Sequence, residues 1–175
     1  MRELTEFWTD KGRDAEKMWQ TWQDKHRIQI LNALSCIPAF RSVYEIGCGS
    51  GPNLRRIKHA RPGVIVGGSE PNPELAAWAS EHLGVPIEIV EMPLLPPSTW
   101  DVTISCYAMA YVDVETVKQV LADVRSRNFI ILEPSAGVVP FAAPGVYTGH
   151  AMPCHVHEYE VLAREAGWNI LWRWP

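Results

Sequence analysis

A short apolar segment that runs directly into three alternating glycines constrains the fold more than any other stretch of the sequence. The segment is Val43–Ile46, and the glycines are Gly47, Gly49 and Gly51. Pro52 follows them and suits the first turn of a helix, where a missing N–H costs nothing. A strand, a tight glycine turn and a helix N-terminus in this order are typical of parallel α/β sheets that bind a ligand at the turn.

The rest of the chain alternates strand patterns with helix patterns. Further strands are predicted at Val64–Ser69, Ile87–Val90, Asp101–Ser105, Phe129–Leu132 and Trp168–Trp174, and helices over 14–37, from 52, and over 73–83, 114–124 and 159–166. This alternation implies parallel strands joined by right-handed crossovers. We therefore predict an α/β fold: a doubly wound, mostly parallel sheet of about six strands with helices on both faces. Phe129–Leu132, apolar throughout, is predicted to be a central strand.

Two regions are expected along the chain. Residues 1–38 form an N-terminal helical extension, which with Phe7 and Trp8 is hypothesised to be a lid, and residues 39–175 form the sheet domain. The stretch from Glu133 to His155, rich in proline and glycine, is predicted to be an ordered excursion.

Charge and composition narrow the class of partner. The formal net charge of −4 gives no electrostatic reason to expect a nucleic acid. A basic run at 55–61 falls on a predicted helix and is interpreted as a solvated face. No apolar stretch approaches the ~18 residues of a membrane span, the N-terminus is too polar for a signal peptide, and the four cysteines are far apart, so a cytoplasmic protein without a membrane partner is expected.

Two kinds of nucleotide ligand compete for the glycine turn. A dinucleotide fingerprint needs glycine at position 52, where this chain has Pro52. Glu45, just before the glycines, would repel a pyrophosphate but could accept a hydrogen bond from an ammonium group, which favours an amino acid moiety. Glu70 follows Gly51 by nineteen residues and could accept hydrogen bonds from ribose hydroxyls.

Four segments together resemble one family. Val43–Gly51 is similar to motif I, E-x-G-x-G-x-G, of class I (Rossmann-like) S-adenosylmethionine-dependent methyltransferases. Gly68–Ala76 resembles their second-strand motif, Trp100–Ser105 their fourth-strand motif and Leu162–Trp168 the entry to their sixth strand. The resemblance covers residues from about 40 to the end and is closest to small, single-domain members of bacterial or phage type.

The resemblance implies a methyltransferase that uses S-adenosylmethionine and transfers the methyl group by in-line displacement. It implies a set of cofactor-binding residues: Glu45, Gly47, Cys48, Gly49, Gly51, Asn53, Glu70, Pro71, Glu91, Met92 and Cys106. Of these, Glu91 would meet the adenine amino group and Met92 would pack on the adenine ring. The turn after the fourth strand lacks the N/D-P-P-Y/F motif of exocyclic-amine DNA methyltransferases and glutamine methyltransferases. Together with the acidic balance this disfavours a nucleic-acid base or a protein amide, so the expected acceptor is a small molecule.

No definite catalytic residue emerges. An oxygen acceptor needs a general base, for which His155, His150 and Tyr107 are candidates. Tyr107, Tyr111, Tyr147 and His155 are expected on the acceptor side. The histidines and Cys154 lack the paired spacing of zinc sites, so no metal is predicted.

Two alternative functions stay open, and the sequence differs from the family pattern in one respect. The chain could be a non-catalytic cofactor-binding or partner module, or a nicotinamide-dependent oxidoreductase, which Pro52 and Glu45 oppose. The sequence holds no segment for the final antiparallel strand of this family, which we expect to be missing. Since an uncovered sheet edge invites pairing, a homodimer through that edge or through the N-terminal helix is one expectation.

Overall fold

A five-stranded parallel sheet forms the centre of the molecule. The computed structural model describes residues 14–95, 98–133, 145–147 and 154–171. The strands are β1 (Ser42–Ile46), β2 (Ile65–Ser69), β3 (Ile87–Glu88), β4 (Trp100–Cys106) and β5 (Ser126–Leu132), in the order β3-β2-β1-β4-β5. The strand order reverses between β1 and β4, so the carboxyl ends of these two strands flank the switch point where such sheets bind ligands.

Helices cover both faces of the sheet, which confirms the predicted α/β architecture. The helices are α1 (Ala15–Gln20), α2 (Lys25–Ser35), α3 (Pro52–Ala60), α4 (Pro73–Leu83), α5 (Val114–Asp123) and α6 (Tyr159–Glu165). The first four bury an apolar cluster against one face, in which Leu34, Leu54 and Ile57 are fully buried. The last two bury a second cluster against the opposite face, around Ile46 and Leu121.

Local sequence signals set the helix ends where they were predicted. The Asn72 side chain accepts hydrogen bonds from the N–H groups of Glu74 and Leu75 and so caps α4. Gly84, with a φ of +65°, ends that helix. Asp113 caps α5 in the same way, by accepting from the N–H of Thr116 at 2.8 Å.

The prediction of one continuous helix over 14–37 was wrong. A 3-10 turn at Thr21–Gln23 and an extended Asp24 separate α1 from α2. The Thr21 hydroxyl donates to the carbonyl of Met18 at 2.6 Å, and Arg27 donates to the Thr21 carbonyl at 3.1 Å. Such side-chain bonds offer the backbone an alternative to helical pairing, and apolar periodicity does not register them.

The interpretation of the basic run at 55–61 as a solvated face was wrong for its three long side chains in α3. Arg55 places its guanidinium 4.6 and 4.5 Å from the ring centres of Trp19 and Trp22. Arg56 donates to the carbonyl of Trp22 at 2.6 Å, and Lys58 donates to a carbonyl at the end of α4, also at 2.6 Å. These three side chains are half-buried and hold the N-terminal helices and α4 against α3.

Two predictions about strands also need correction. Apart from the exposed Arg127, β5 is half-buried, and it is the terminal strand of the described sheet rather than a central one. An apolar run alone does not distinguish these two positions. Residues 168–171 form no strand, and 172–175 lie outside the described residues. Trp168 instead packs edge-on to Phe129 and donates its indole N–H to the Leu121 carbonyl at 2.8 Å, so it covers the second core.

Part of the excursion forms a small antiparallel sheet that the sequence did not predict. β6 (Gly145–Tyr147) pairs with β7 (Cys154–Val156). Residues 134–144 and 148–153 of the excursion, and the lid residues Phe7 and Trp8, lie outside the described part of the chain. Among the described helices, none has the length and apolar character needed to cross a membrane.

Candidate functional site

The glycine turn after β1 has a backbone conformation that residues other than glycine adopt only at a cost in free energy. Gly47, Gly49 and Gly51 all have positive φ, at +64°, +57° and +84°. A Cβ on Gly47 would lie 2.6 Å from the Cβ of Ala108, so this glycine brings the β1 turn against the loop after β4. A Cβ on Gly51 would lie 2.8 Å from Leu83, so this one lets the start of α3 pack on α4.

Gly49 leaves room for a side chain from α1. The sulfur of Met18 lies 2.6 Å from the position that a Cβ on Gly49 would take. The N–H of Ser50 points at the same sulfur, 3.5 Å away. The N-terminal helices therefore reach the glycine turn itself.

Glu45, at the carboxyl end of β1, is buried with one acceptor left over. It is 1% exposed. Its Oε1 accepts from the Asn53 amide at 2.5 Å, whereas Oε2 is buried and has no hydrogen-bond partner among the described residues. Burial raises the pKa of Glu45 to about 8, against the opposing effects of Asn53 and Arg27. A buried oxygen without a partner at this edge of the sheet can accept a hydrogen bond from a donor that enters the site.

Arg27 of α2 joins this site, which the sequence did not predict. Its Nη1 donates to Asn53 Oδ1 at 2.6 Å, so the Asn53 amide connects the guanidinium to Glu45. Burial lowers the pKa of Arg27, and the charge of Glu45 opposes that effect. Arg27 and Asn53 come from different helices and lie 26 positions apart in the sequence, and no local spacing reveals such a contact.

Glu70, at the end of β2, lies against the glycine turn. Its Oε2 accepts from the N–H of Gly49 at 2.8 Å, and its Oε1 accepts from the N–H of Asn72 at 3.0 Å. Burial raises the pKa of Glu70. Cys48 is buried in the same turn, and Pro71 is half-buried beside Glu70. The structure thus brings together the two carboxylates that the sequence singled out.

Cys106 ends β4 on the other side of the switch point. Burial raises the pKa of its thiol to about 12, and the negative charge of Glu45 acts in the same direction. A thiol with such a pKa stays protonated near neutral pH and is a poor nucleophile. The thiol lies near Asn53 and Glu45, and its predicted contact with a cofactor stays a prediction.

Glu91 and Met92 lie beyond the end of β3. Glu91 is exposed in the turn that follows the strand. Met92 packs with the second apolar cluster, on the sheet face opposite to the one that holds Cys48. Their predicted contacts with an adenine ring stay a prediction.

The loop after β4 is held by Glu133, which the sequence reasoning missed. The Glu133 carboxylate accepts from the Ser105 hydroxyl at 2.6 Å and from the N–H groups of residues 108–110 at 2.9, 3.0 and 3.2 Å. Loss of water around the carboxylate raises its pKa to about 7. Tyr107 in this loop has a φ of +57° and is 50% exposed, so the loop presents its ring to solvent. The available signal was an acid directly after an apolar strand, as at Glu70.

The β6–β7 pair lies beside the same loop. The β7 strand packs on the 3-10 turn at Met109–Tyr111. The ring of His155 stacks on that of His157 with centres 5.5 Å apart, and His157 Nε2 lies 3.0 Å from the Val112 carbonyl. Burial lowers the pKa of His157. His155 and Tyr107 are therefore both attached to the loop after β4.

The structure describes only part of the remaining candidate residues on the acceptor side. His150 lies outside the described residues, as do the side chains of Tyr147 and Cys154. Among the residues that the structure describes, no group of three histidine, cysteine or acidic side chains could hold a metal ion.

Comparison with known proteins gives a fold match without a sequence match. No protein-family model matches the chain, and no curated protein matches its sequence. DesVI of Streptomyces venezuelae is similar in structure, with a TM-score of 0.67 at 12% identity over 89% of each chain. So is the sugar N-methyltransferase KedS8 from a Streptoalloteichus species, with a TM-score of 0.58 at 16% identity over 88% of this chain and 78% of that one.

A third solved structure was determined with S-adenosylmethionine bound. It is CalS10, an amino pentose methyltransferase from Micromonospora echinaspora, with a TM-score of 0.59 and 18% identity. The match covers 77% of this chain, which spans 61% of the length of CalS10. At these identities the likeness is one of fold, and the strand order and the glycine turn agree with it. The chain has the Rossmann-like fold of class I S-adenosylmethionine-dependent methyltransferases.

Proposed function

We propose that this protein is an S-adenosylmethionine-dependent methyltransferase that acts on a small molecule. The observation that carries the proposal is the unpartnered Oε2 of Glu45, buried beside the glycine turn at the switch point. A buried carboxylate oxygen without a donor costs free energy, and an ammonium group of a ligand would remove that cost. A pyrophosphate at the same place would be repelled.

The residues around the turn fit the remainder of such a ligand. The positive-φ glycines add no side chains of their own to the turn, although the end of Met18 lies over Gly49. Glu70 lies across the turn, and each of its carboxylate oxygens accepts one backbone N–H and keeps a lone pair for a sugar hydroxyl. Cys48, Asn53, Pro71 and Cys106 complete the wall. When bound, S-adenosylmethionine supplies a methyl group activated by its positively charged sulfur, so this chain's own residues mainly hold and align the reactants.

The acceptor side is the loop after β4 together with β7. Glu133 fixes the loop, Tyr107 presents an exposed ring, and His155 lies near them. An oxygen acceptor would need a base, for which His155 is the described candidate. KedS8 is a sugar N-methyltransferase and CalS10 an amino pentose methyltransferase, which supports a small-molecule acceptor here.

Calorimetric titration tests the cofactor. We expect S-adenosylmethionine and S-adenosylhomocysteine to bind and NAD not to bind. Glu45→Gln should weaken binding of S-adenosylmethionine about 30- to 100-fold, because a charge-assisted hydrogen bond is lost. Glu81→Gln, on the exposed side of α4, should leave the affinity within about 2-fold and serves as the matched control. Binding of NAD in place of S-adenosylmethionine would contradict the proposal.

Turnover distinguishes an enzyme from a binding module. The purified protein is incubated with S-adenosylmethionine and a panel of amino sugars and hydroxylated small molecules, and S-adenosylhomocysteine is measured. Acceptor-dependent release of S-adenosylhomocysteine is expected. Tight cofactor binding with no release for any acceptor class would favour the non-catalytic module.

A further inference from the structure

We propose that Arg27 binds the carboxylate of the cofactor's amino acid group, so that the helical segment 14–35 forms one wall of the cofactor site. This rests on the proposed function, since it names the residue that meets one part of the same ligand. Neither the glycine turn nor the resemblance to other proteins assigns a role to Arg27.

Arg27 and Glu45 stand on either side of one amide. Arg27 donates through Nη1 to Asn53 Oδ1 at 2.6 Å, and Asn53 donates through Nδ2 to Glu45 Oε1 at 2.5 Å. Asn53 is 3% exposed and bonded from both sides, so its orientation is fixed. The guanidinium and the carboxylate are thereby held a few ångströms apart at the end of β1.

This spacing and these charges match an α-amino acid group, which carries an ammonium and a carboxylate on one carbon. Glu45 Oε2 is the buried acceptor left for the ammonium. Arg27 uses Nε on Thr21 and Nη1 on Asn53, and no hydrogen bond of its Nη2 is recorded within the described residues. A guanidinium binds carboxylates with strong, charge-assisted hydrogen bonds. The site therefore offers the cation and the anion that such a ligand requires.

The N-terminal helices have attachments to α3 other than Arg27. Arg55 lies between the rings of Trp19 and Trp22, and Arg56 donates to the Trp22 carbonyl at 2.6 Å. These contacts come from α3 and hold the segment without any connection to Glu45. Arg27 differs from Arg55 and Arg56 in that it is linked through Asn53 to Glu45.

The test compares two ligands that differ only in the carboxylate. S-adenosylmethionine and decarboxylated S-adenosylmethionine are titrated into the wild-type protein and into Arg27→Met and Arg27→Lys by calorimetry. We expect the wild type to prefer S-adenosylmethionine about 10- to 100-fold. Arg27→Met should weaken S-adenosylmethionine by about this factor and leave the decarboxylated ligand within about 3-fold, or tighter, because a like charge is removed. Arg27→Lys should restore part of the preference.

Arg56→Met is the matched control, because it removes another arginine that bonds the N-terminal segment away from Asn53. It should change both ligands by the same factor, within about 3-fold. An equal loss for both ligands in Arg27→Met would overturn the inference and leave a structural role. A melting curve shows whether Arg27→Met folds. If it does not, equal affinity of the wild type for the two ligands would by itself overturn the inference about Arg27 and leave the proposed function standing. Failure of the wild type to bind either ligand would instead refute the proposed function.

Discussion

Two carboxylates, Glu45 and Glu133, differ in what surrounds them although they hold similar places. Each follows or ends a parallel strand at the same edge of the sheet, and loss of water raises the pKa of both, to about 8 and about 7. Glu133 accepts four hydrogen bonds from its own protein, whereas Glu45 accepts one and keeps a buried oxygen without a partner. The first carboxylate completes a loop, and the second is left incomplete until a ligand donates to it.

The largest effect is expected at the completed carboxylate. Glu133→Ala removes the acceptor for the Ser105 hydroxyl and for three N–H groups at 108–110. We expect a loss of ~3–5 kcal/mol in the free energy of unfolding, at roughly 1 kcal/mol or more for each donor left unpaired. Urea unfolding at pH 7 measures it. Glu115→Ala, which removes only an exposed ion pair with Lys118, should change stability by less than ~1 kcal/mol. A loss below ~1 kcal/mol in Glu133→Ala would show that the loop holds without this residue.

A smaller effect is expected where the two regions touch. Gly47 and Gly84 have nearly the same backbone, with φ of +64° and +65°, but a Cβ on Gly47 meets Ala108 at 2.6 Å and a Cβ on Gly84 meets nothing within 4 Å. Gly84→Ala should therefore cost only the left-handed backbone term, ~1–2 kcal/mol. Gly47→Ala should cost ~3 kcal/mol or more, because it also forces the turn and the loop after β4 apart. Thermal unfolding of both variants measures the difference between their losses of stability. Equal losses would mean that the contact between Gly47 and Ala108 can widen at little cost.

The third effect depends on pH and concerns the incomplete carboxylate, Glu45. The folded pKa of Glu45, about 8, lies above its ordinary value of 4.5, so the folded protein holds a proton that the unfolded chain releases between these values. Its contribution to stability is complete below about pH 4.5 and is lost as the pH rises through 8. Glu45→Gln removes this loss, so the ligand-free variant should melt ~10 °C higher than the wild type at pH 9, with little difference at pH 5. Melting curves from pH 5 to 9 that run parallel for the two proteins would contradict a buried, uncompensated Glu45.

Local chemistry explains how far the sequence could predict this molecule. The glycine turn and the ends of α4 and α5 depend on a few neighbouring residues, such as the capping side chains of Asn72 and Asp113. These features lie within one residue of where the pattern placed them. Because parallel strands end at one edge, the sequence also brought Glu45 and Glu70 to the same place.

The rest depends on contacts between distant segments. Arg27 meets Asn53 only once α2 has packed on α3, and Arg55 looks like a solvent-facing charge until Trp19 and Trp22 enclose it. The break at Thr21–Gln23 is set by side-chain hydrogen bonds that apolar periodicity ignores. Glu133 could have been predicted from the sequence, because it is an acidic residue directly after an apolar strand, as Glu70 is.

The thioether that lies on Gly49 has a consequence for how quickly a ligand enters. A ligand that approaches the Gly49 backbone has to displace the end of Met18, which is unbranched and has three rotatable bonds. Rotation of such a side chain is a fast motion that leaves α1 in place. With a stiff, β-branched residue at this position, a ligand could enter only if the whole of α1 moved. With methionine, ligand entry requires only a side-chain rotation, so its rate does not depend on how firmly α1 is attached.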